Sequence, residues 1–270
     1  MKQYTLEIIA VGNELLIGRI ADTNSQWIAR RTVELGGKVN RITVVPDDIN
    51  VISSAVREAL DRHPDFLLTV GGLGPTYDDK TLQGVAQALG VPLKLNEEAL
   101  KMVEEKVKEM NEKGLLRKTC LTPERVKMAT LPEGSKPIYN PAGTAPGVHL
   151  TRGETVIICL PGVPAEMKAI FDGYVSRLLA EKSDLRYAEA SLKVEGIVES
   201  ELSPIISEVV GSNPKVYVKS HPKGVEPTSK IEIHLSAFAQ KVEEAQELVR
   251  KALLQLKSRI EAAGGKVIEG

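Results

Sequence analysis

The chain has 270 residues, of which 42% are hydrophobic and 26% charged, and its formal net charge is −1 at pH 7. These values are typical of a globular protein with one large domain or two ordinary ones. The balanced charge and an aromatic content of only 4% argue against a nucleic-acid-binding or membrane-binding surface.

The N-terminus leads directly into a strand-like segment at residues 5–11, so no secretory signal is recognised. No segment approaches the roughly 20 apolar residues that span a bilayer. Two cysteines, Cys120 and Cys159, lie in apolar contexts without the spacing of a metal site. We therefore expect a cytoplasmic protein with reduced cysteines.

The first part of the chain alternates strands with helices. Strands are predicted at residues 5–11, 39–45 and 66–70, and helices begin near residues 22, 50 and 80. This order indicates βαβ units and a mainly parallel sheet. Because ligands of such sheets bind outside the carboxyl ends of the strands, the loops that follow the strands are candidate site segments.

The loop after the third strand has the most informative composition. Residues 69–79 read Thr-Val-Gly-Gly-Leu-Gly-Pro-Thr-Tyr-Asp-Asp and precede a helix. Glycines allow backbone N–H groups to approach a ligand closely, and a helix N-terminus favours anions. Two carboxylates beside a phosphate require a cation between them. The motif therefore predicts a phosphate-bearing ligand held with a divalent metal ion, although glycine-rich turns and Asp caps also occur without a ligand.

Two later loops have similar features. Small residues and prolines fill residues 140–147, and residues 160–167 connect a buried strand to a helix in which Pro164 suits the first turn. The charged helix predicted at residues 97–113 is interpreted as a spacer or lid. Asp22 and Asn24 could either cap the first helix or contact a ligand.

The composition changes near Ser183. We predict a first domain at residues 1–182 and a small α+β domain at residues 183–270, with the element order βαββα and no chemical constellation. A small sheet covered by two helices is a marginal core. Since two-fold oligomers are the commonest solution for such a domain, we predict a homodimer.

Four loops together resemble one known family: residues 11–18 (Val-Gly-Asn-Glu-Leu-Leu-Ile-Gly), 69–79, 140–147 and 160–167. With Asp22, Asn24 and Asp47, they resemble the N-terminal region of the CinA (competence/damage-inducible) family, which is related to the molybdopterin-binding domain of the MoaB and MogA proteins. The resemblance implies a three-layer α/β/α sandwich with a mainly parallel sheet. The C-terminal nicotinamide mononucleotide deamidase domain of many CinA proteins is not expected here.

The resemblance also implies roles for individual residues. Catalytic roles fall to Glu14, Asp47, Asp78 and Asp79, and the last two are also the implied metal ligands. Phosphate contacts are implied for Gly71, Gly72, Gly74 and Thr76. The remaining implied pocket residues are Asn13, Asn24, Asn140, Gly143, Thr144, Gly147, Pro161, Gly162 and Glu166.

Three functions follow from these expectations. The first is a hydrolase that cleaves ADP-ribose or a related nucleotide to AMP and ribose 5-phosphate, with Mg, Mn, Co or Ni as the divalent metal ion. The second is a protein that binds molybdopterin and transfers an adenylyl group to it. The third is a nucleotide-binding module without catalysis. All three predict a nucleotide or a pterin as the small-molecule partner.

Overall fold

The computed structural model describes residues 3–114, 120–223 and 230–268. Among these, residues 3–33 and 37–183 form one compact unit, while residues 34–36 and 184–268 form a second. No described helix has both the length and the hydropathy needed to cross a membrane.

The first unit contains a described sheet with the strand order β2-β1-β3-β8-β7-β6. The strands of this unit are β1 (Thr5–Val11), β2 (Lys38–Val45), β3 (Phe66–Val70), β4 (Leu93–Leu95), β5 (Thr130–Pro132), β6 (Lys136–Ile138), β7 (Gly147–Arg152) and β8 (Thr155–Leu160). Strands β2, β1, β3 and β8 are parallel, whereas at one edge β7 pairs antiparallel with β8, and β6 pairs antiparallel with β7. A separate pair joins β4 to β5.

Helices connect these strands. They are α1 (Asn13–Leu16), α2 (Thr23–Glu34), α3 (Ile49–Asp61), α4 (Thr81–Leu89), α5 (Glu97–Glu112), α6 (Pro123–Met128), α7 (Pro164–Ile170) and α8 (Ser176–Glu181). The sequence predicts one continuous helix from Pro164 to about Glu181, but a π-helical turn at Phe171–Val175 separates α7 from α8. The sequence did not predict α1, β4 or β5.

Both faces of the sheet are buried, as expected for a sheet between two helical layers. Side chains alternate along a strand, so Ile9 and Ile157 point to the face that packs against Val56 and Val85 of α3 and α4. Ile8 lies on the opposite face and is fully buried. The predicted fold class, an α/β sandwich with a mainly parallel sheet, is therefore confirmed.

The second unit is a four-stranded antiparallel sheet with the order β10-β11-β9-β12. Its elements are β9 (Arg186–Glu195), α9 (Glu199–Ser212), β10 (Val216–Lys223), β11 (Lys230–Ala239), α10 (Val242–Ala262) and β12 (Lys266–Ile268). Both helices contribute to one core, in which Leu202 and Val249 pack with Ile233 of β11.

The predicted order βαββα was wrong by one strand. Strand β12 follows α10 and pairs antiparallel with β9, which makes the order βαββαβ. With only three residues after a Gly-Gly pair, β12 is too short for an alternating pattern to be detected. The sequence predicts a strand at residues 190–198, but β9 ends at Glu195, because Gly196 leaves the strand with φ 77°. The sequence also predicts a strand at residues 229–238, and its first residue, Ser229, lies outside the described residues.

Candidate functional site

A cavity of about 730 Å³ lies at the carboxyl ends of β1, β3 and β8 in the first unit. This is the edge of the sheet at which the sequence predicts a ligand. The predicted residues that line it are Glu14, Asn24, Asp47, Gly71, Gly72, Gly74, Thr76, Asp78, Asp79, Thr144, Pro161, Gly162 and Glu166. The predicted residues that do not line it are Asn13, Asn140, Gly143 and Gly147.

The loop after β1 is joined to the loop after β2. The backbone N–H of Gly12 donates to the Val45 carbonyl at 3.1 Å, and the backbone N–H of Asn13 donates to Asp47 Oδ2 at 2.8 Å. Asn13 therefore orients a cavity carboxylate through its backbone, while its implied contact with the ligand stays a prediction. The same loop places Glu14 on the cavity surface.

Gly71 lies where three strand ends meet. Its N–H donates to the Leu160 carbonyl at 3.0 Å, and its own carbonyl accepts a hydrogen bond from the buried hydroxyl of Thr81 at 2.7 Å. Its φ is 105°, and a Cβ at this position would overlap the Val11 carbonyl. Glycine is therefore required by backbone packing alone. The predicted phosphate contact of this loop stays a prediction.

The turn after the glycines holds two carboxylates with one hydroxyl. Thr76 Oγ1 lies 2.5 Å from Asp78 Oδ1 and 2.6 Å from Asp79 Oδ2. Since a hydroxyl carries a single hydrogen, it donates to only one of the two at a time. The Thr76 hydrogen bond, the backbone N–H of Asp78 and the positive charges of Lys127 and Lys80 hold the pKa of Asp78 below its usual value.

Asp47 faces further negative charge. Burial raises its pKa above the usual value, the N–H of Asn13 opposes this, and the charges of Glu14, Asp78 and Asp79 raise the pKa further. The residues Glu14, Asp47, Asp78 and Asp79 form what we call the carboxylate cluster. Their mutual repulsion favours a cation at this end of the cavity.

The carboxylate cluster could hold a metal ion together with water and a phosphate ligand, but it does not form a metal site from protein side chains alone. In the part of the chain that the structure describes, no group of three or more His, Cys, Asp or Glu side chains has the arrangement of a metal site. A preformed metal cage is therefore not present among these residues. Mg²⁺ is commonly bound by only one or two carboxylates, with water and substrate phosphates completing its shell. Asp78 and Asp79 fit that mode, and their role as metal ligands stays a prediction.

A second carboxylate is held very differently. Asn140 is only 2% exposed, and its Nδ2 donates to Glu166 Oε2 at 2.7 Å and to the Ala145 carbonyl at 2.8 Å. Its Oδ1 accepts from the backbone N–H groups of Ala142 and Gly143, at 3.0 and 2.9 Å. A Cβ at Gly143 would overlap the Glu166 carboxylate. These contacts fix Glu166 at the cavity surface.

These distances place three predicted residues away from the cavity surface. Asn140 and Gly143 lie behind Glu166 and position it. Gly147 is buried at the start of β7, where a Cβ would lie 3.3 Å from the Cys159 carbonyl and from the side chains of Ile138 and Ile170. Close packing is sufficient to account for this glycine, and the implied ligand contacts of the three residues stay predictions.

The sequence left open whether Asp22 and Asn24 cap the first helix or contact a ligand, and the structure gives the two residues different contacts. Asp22 Oδ1 accepts from the backbone N–H of Ser25 at 2.9 Å, as an N-cap residue does. Asn24 Nδ2 donates to the Gly162 carbonyl at 2.7 Å and so joins α2 to the loop after β8. Both residues also line the cavity.

Sequence reasoning did not associate α5 and α6 with the site. Both helices form part of the cavity wall, through Val107, Met110, Glu124, Arg125 and Met128, together with Thr122 before α6. The apolar residues of α5 recur at helical spacing, which is typical of a core-facing helix. Nothing in that spacing distinguishes a core position from a cavity wall.

Comparison with known proteins identifies a family for the part of the chain that carries the cavity. Residues 7–181 match the family model described as "Probable molybdopterin binding domain". The crystal structure of the protein CinA from Thermoplasma acidophilum, described as of unknown function, is 40% identical, with a TM-score of 0.58. It matches 64% of this chain and 98% of its own.

Two curated relatives cover both units. A protein of Pyrobaculum arsenaticum is 45% identical over 260 residues, which are 96% of this chain and 95% of the relative. A protein of Sulfurisphaera tokodaii is 42% identical over 270 residues, which are 100% of each chain. The second unit therefore accompanies the first in these relatives.

Proposed function

The chain belongs to the family of probable molybdopterin-binding domains, and on that premise we propose that its cavity binds a phosphorylated pterin and an adenosine nucleotide and transfers an adenylyl group between them. One observation carries the proposal. Glycine-rich backbone and the carboxylate cluster line a single cavity at the carboxyl ends of β1 and β3, where ligands of parallel sheets bind.

In the transfer, a phosphate oxygen of molybdopterin attacks the α-phosphorus of ATP, a new P–O bond forms, and the bond to the departing pyrophosphate breaks. Asp78 and Asp79 would hold a divalent cation together with the nucleotide, and this cation would neutralise charge at the phosphate oxygens. The protein itself positions the two reacting groups next to each other.

The cavity residues divide this work. The hydroxyl of Thr76 fixes the orientation of the two carboxylates that follow it. Glu166, held by Asn140, presents an oxygen that accepts hydrogen bonds from ligand N–H or O–H groups. The apolar wall from α5 provides a surface for a planar ring, since such pockets are mostly apolar with a few fixed polar groups.

Hydrolysis of ADP-ribose is a second candidate, and one observation favours it. Water attack on the pyrophosphate bond needs a base, and a base is most effective when its pKa is close to the working pH. The pKa of Asp47 is raised by burial and by its acidic neighbours. Water would attack one phosphorus of ADP-ribose, the bond between that phosphorus and the bridging oxygen would break, and AMP and ribose 5-phosphate would be released.

Product analysis separates these candidates. The protein is incubated with ATP, molybdopterin and Mg²⁺, and separately with ADP-ribose and each of Mg²⁺, Mn²⁺, Co²⁺ and Ni²⁺. We expect pyrophosphate and adenylyl-molybdopterin in the first reaction. AMP and ribose 5-phosphate in the second alone would support the hydrolase instead. Binding without any product would support a non-catalytic module, and the absence of both binding and product would contradict all three.

A further inference from the structure

The charge of the cavity lining is strongly one-sided. Among the described residues, its carboxylates are Glu14, Asp22, Asp47, Asp78, Asp79, Glu124 and Glu166. Arg125 is the one Lys or Arg that lines it in the same part of the chain. A phosphate group in this cavity would lie among repelling charges, and these repulsions are strong where water is excluded.

Arg125 is placed in the cavity by the local structure of α6. The helix begins with Thr122 as its N-cap and Pro123 in its first turn. The Arg125 guanidinium donates through Nη1 to the Cys120 carbonyl at 2.6 Å. This bond turns the side chain back along the start of the helix, and a planar guanidinium with five N–H donors is well matched to phosphate oxygens.

The same helix is tied to the turn that carries the carboxylates. Lys127 Nζ donates to the Thr76 carbonyl, and Met128 and Ala129 are buried at the end of α6. The helix of Arg125 and the turn of Asp78 and Asp79 are therefore joined directly, and all three residues line the same cavity. A phosphate that contacts Arg125 would have its charge balanced there, while a cation at Asp78 and Asp79 would balance the carboxylates.

We infer that Arg125 contacts the phosphate of the ligand and makes the cavity selective for phosphorylated over unphosphorylated compounds. The inference rests on the proposed function, since it concerns the same ligand. It adds a residue that neither the loop motifs nor the resemblance indicates. It also assigns α6 to ligand recognition, although the sequence of residues 123–128 by itself predicts only a short helix.

The test compares Arg125→Gln with Arg125→Lys and with Arg152→Gln. Arg152 is exposed at the far end of the sheet, where it pairs with Thr155, the first residue of β8. The two Gln variants therefore lose the same charge at opposite ends. Isothermal titration with ATP and with adenosine, both in Mg²⁺, gives the dissociation constants, and circular dichroism with thermal unfolding confirms that each variant folds.

We expect Arg125→Gln to weaken ATP binding by about 10- to 100-fold, the range for a lost charge-assisted hydrogen bond. Adenosine binding and the Arg152→Gln control should not change, and Arg125→Lys should retain part of the affinity. An equal loss for ATP and adenosine, or no loss, would overturn the inference while leaving the proposed function intact. A wild-type protein that binds no ATP would overturn both.

Discussion

The cavity holds its carboxylates in two contrasting ways. Glu166 is fixed by Asn140, a buried amide that donates to Glu166 and to the Ala145 carbonyl and accepts from two backbone N–H groups of its own loop. Asp78 and Asp79 share a single hydroxyl, and the pKa of Asp47 is raised by burial and by the charges of Glu14, Asp78 and Asp79. At the end with Glu166, Asn140 has all its hydrogen bonds without a ligand. At the other end, the carboxylate cluster places several negative charges near one another.

This difference indicates that the two groups of carboxylates have different functions. A rigid, satisfied carboxylate suits the recognition of neutral N–H or O–H groups, because little entropy is lost when they bind. A group of mutually repelling carboxylates suits a cation, whose arrival relieves the repulsion. Catalytic charge stabilisation should therefore depend on the carboxylate cluster, while shape and ligand selectivity should depend on the Asn140–Glu166 pair.

The largest expected effect is at Asp79. Asp79→Asn keeps an acceptor for the Thr76 N–H, which donates to Asp79 Oδ2 at 2.8 Å, but removes the charge. We expect turnover, measured as pyrophosphate or AMP release, to fall by at least about 10²-fold, as for a lost electrostatic stabiliser. Asp61→Asn, on the exposed end of α3, is the control. Turnover within threefold of wild type would remove Asp79 from the mechanism.

The next effect concerns stability at the other end. Asn140→Ala removes one amide and leaves two backbone N–H groups without their acceptor, so the free energy of unfolding should fall by about 2–4 kcal/mol. Asn96→Ala removes only the cap of α5 and should cost about 1 kcal/mol. Urea unfolding measures both. Equal losses for the two variants would show that the Asn140 network is not a special stabilising element.

Glu166→Gln should change recognition without changing stability. The glutamine can still accept from Asn140 but replaces an acceptor with a donor at the cavity surface. Ligand affinity should fall about 10-fold, with an unchanged unfolding temperature. Glu124→Gln removes the same charge from the same cavity and controls for electrostatics alone. Matching changes in the two variants would argue that Glu166 contributes only its charge.

The smallest effect is expected at Asp47. Because its pKa is raised in the folded protein, the folded state binds a proton more tightly than the unfolded state, so stability falls as the pH rises through this pKa. Asp47→Asn keeps the bond to Asn13 and should stabilise the protein at neutral pH by up to about 1 kcal/mol, since solvent screens the charges. The gain should vanish below the unfolded pKa. A loss of stability at neutral pH would contradict the account.

The carboxyl edge of the sheet was predictable because its signals are local. Glycines, prolines and paired carboxylates follow strands, and parallel strands bring their ends to one edge. That is why Glu14, Asp47 and Asp78 were expected at one site, and all three line one cavity, while their catalytic roles stay predictions. The split between lining and positioning roles was not predictable, since only the structure shows that Asn140 lies behind Glu166.

The contribution of α6 was not predictable for a different reason. Arg125 lies on a helix of six residues, and its proximity to the Thr76 turn depends on a contact with Lys127 more than fifty residues away from that turn. Contacts of this kind leave no periodic pattern. In the second unit, β12 was missed because three residues cannot show an alternation.

Assembly and domain independence stay predictions. The apolar stripe of α10 is largely used within its own unit, where Ala245, Val249 and Leu256 are buried. The homodimer therefore has to be tested by light scattering of the full chain. Truncation after Lys182 tests whether residues 1–182 fold alone, and cooperative unfolding of the shortened chain is the expected result.

We expect a cation and a phosphorylated ligand to bind this cavity together. Isothermal titration of the wild-type protein with ATP, once in Mg²⁺ and once in EDTA, measures whether the affinity for ATP depends on the cation. We predict one site per chain in Mg²⁺, with affinity at least about 10-fold weaker in EDTA, because the carboxylate cluster then repels the phosphates. ATP that binds equally well in EDTA, or does not bind in Mg²⁺, would contradict the account.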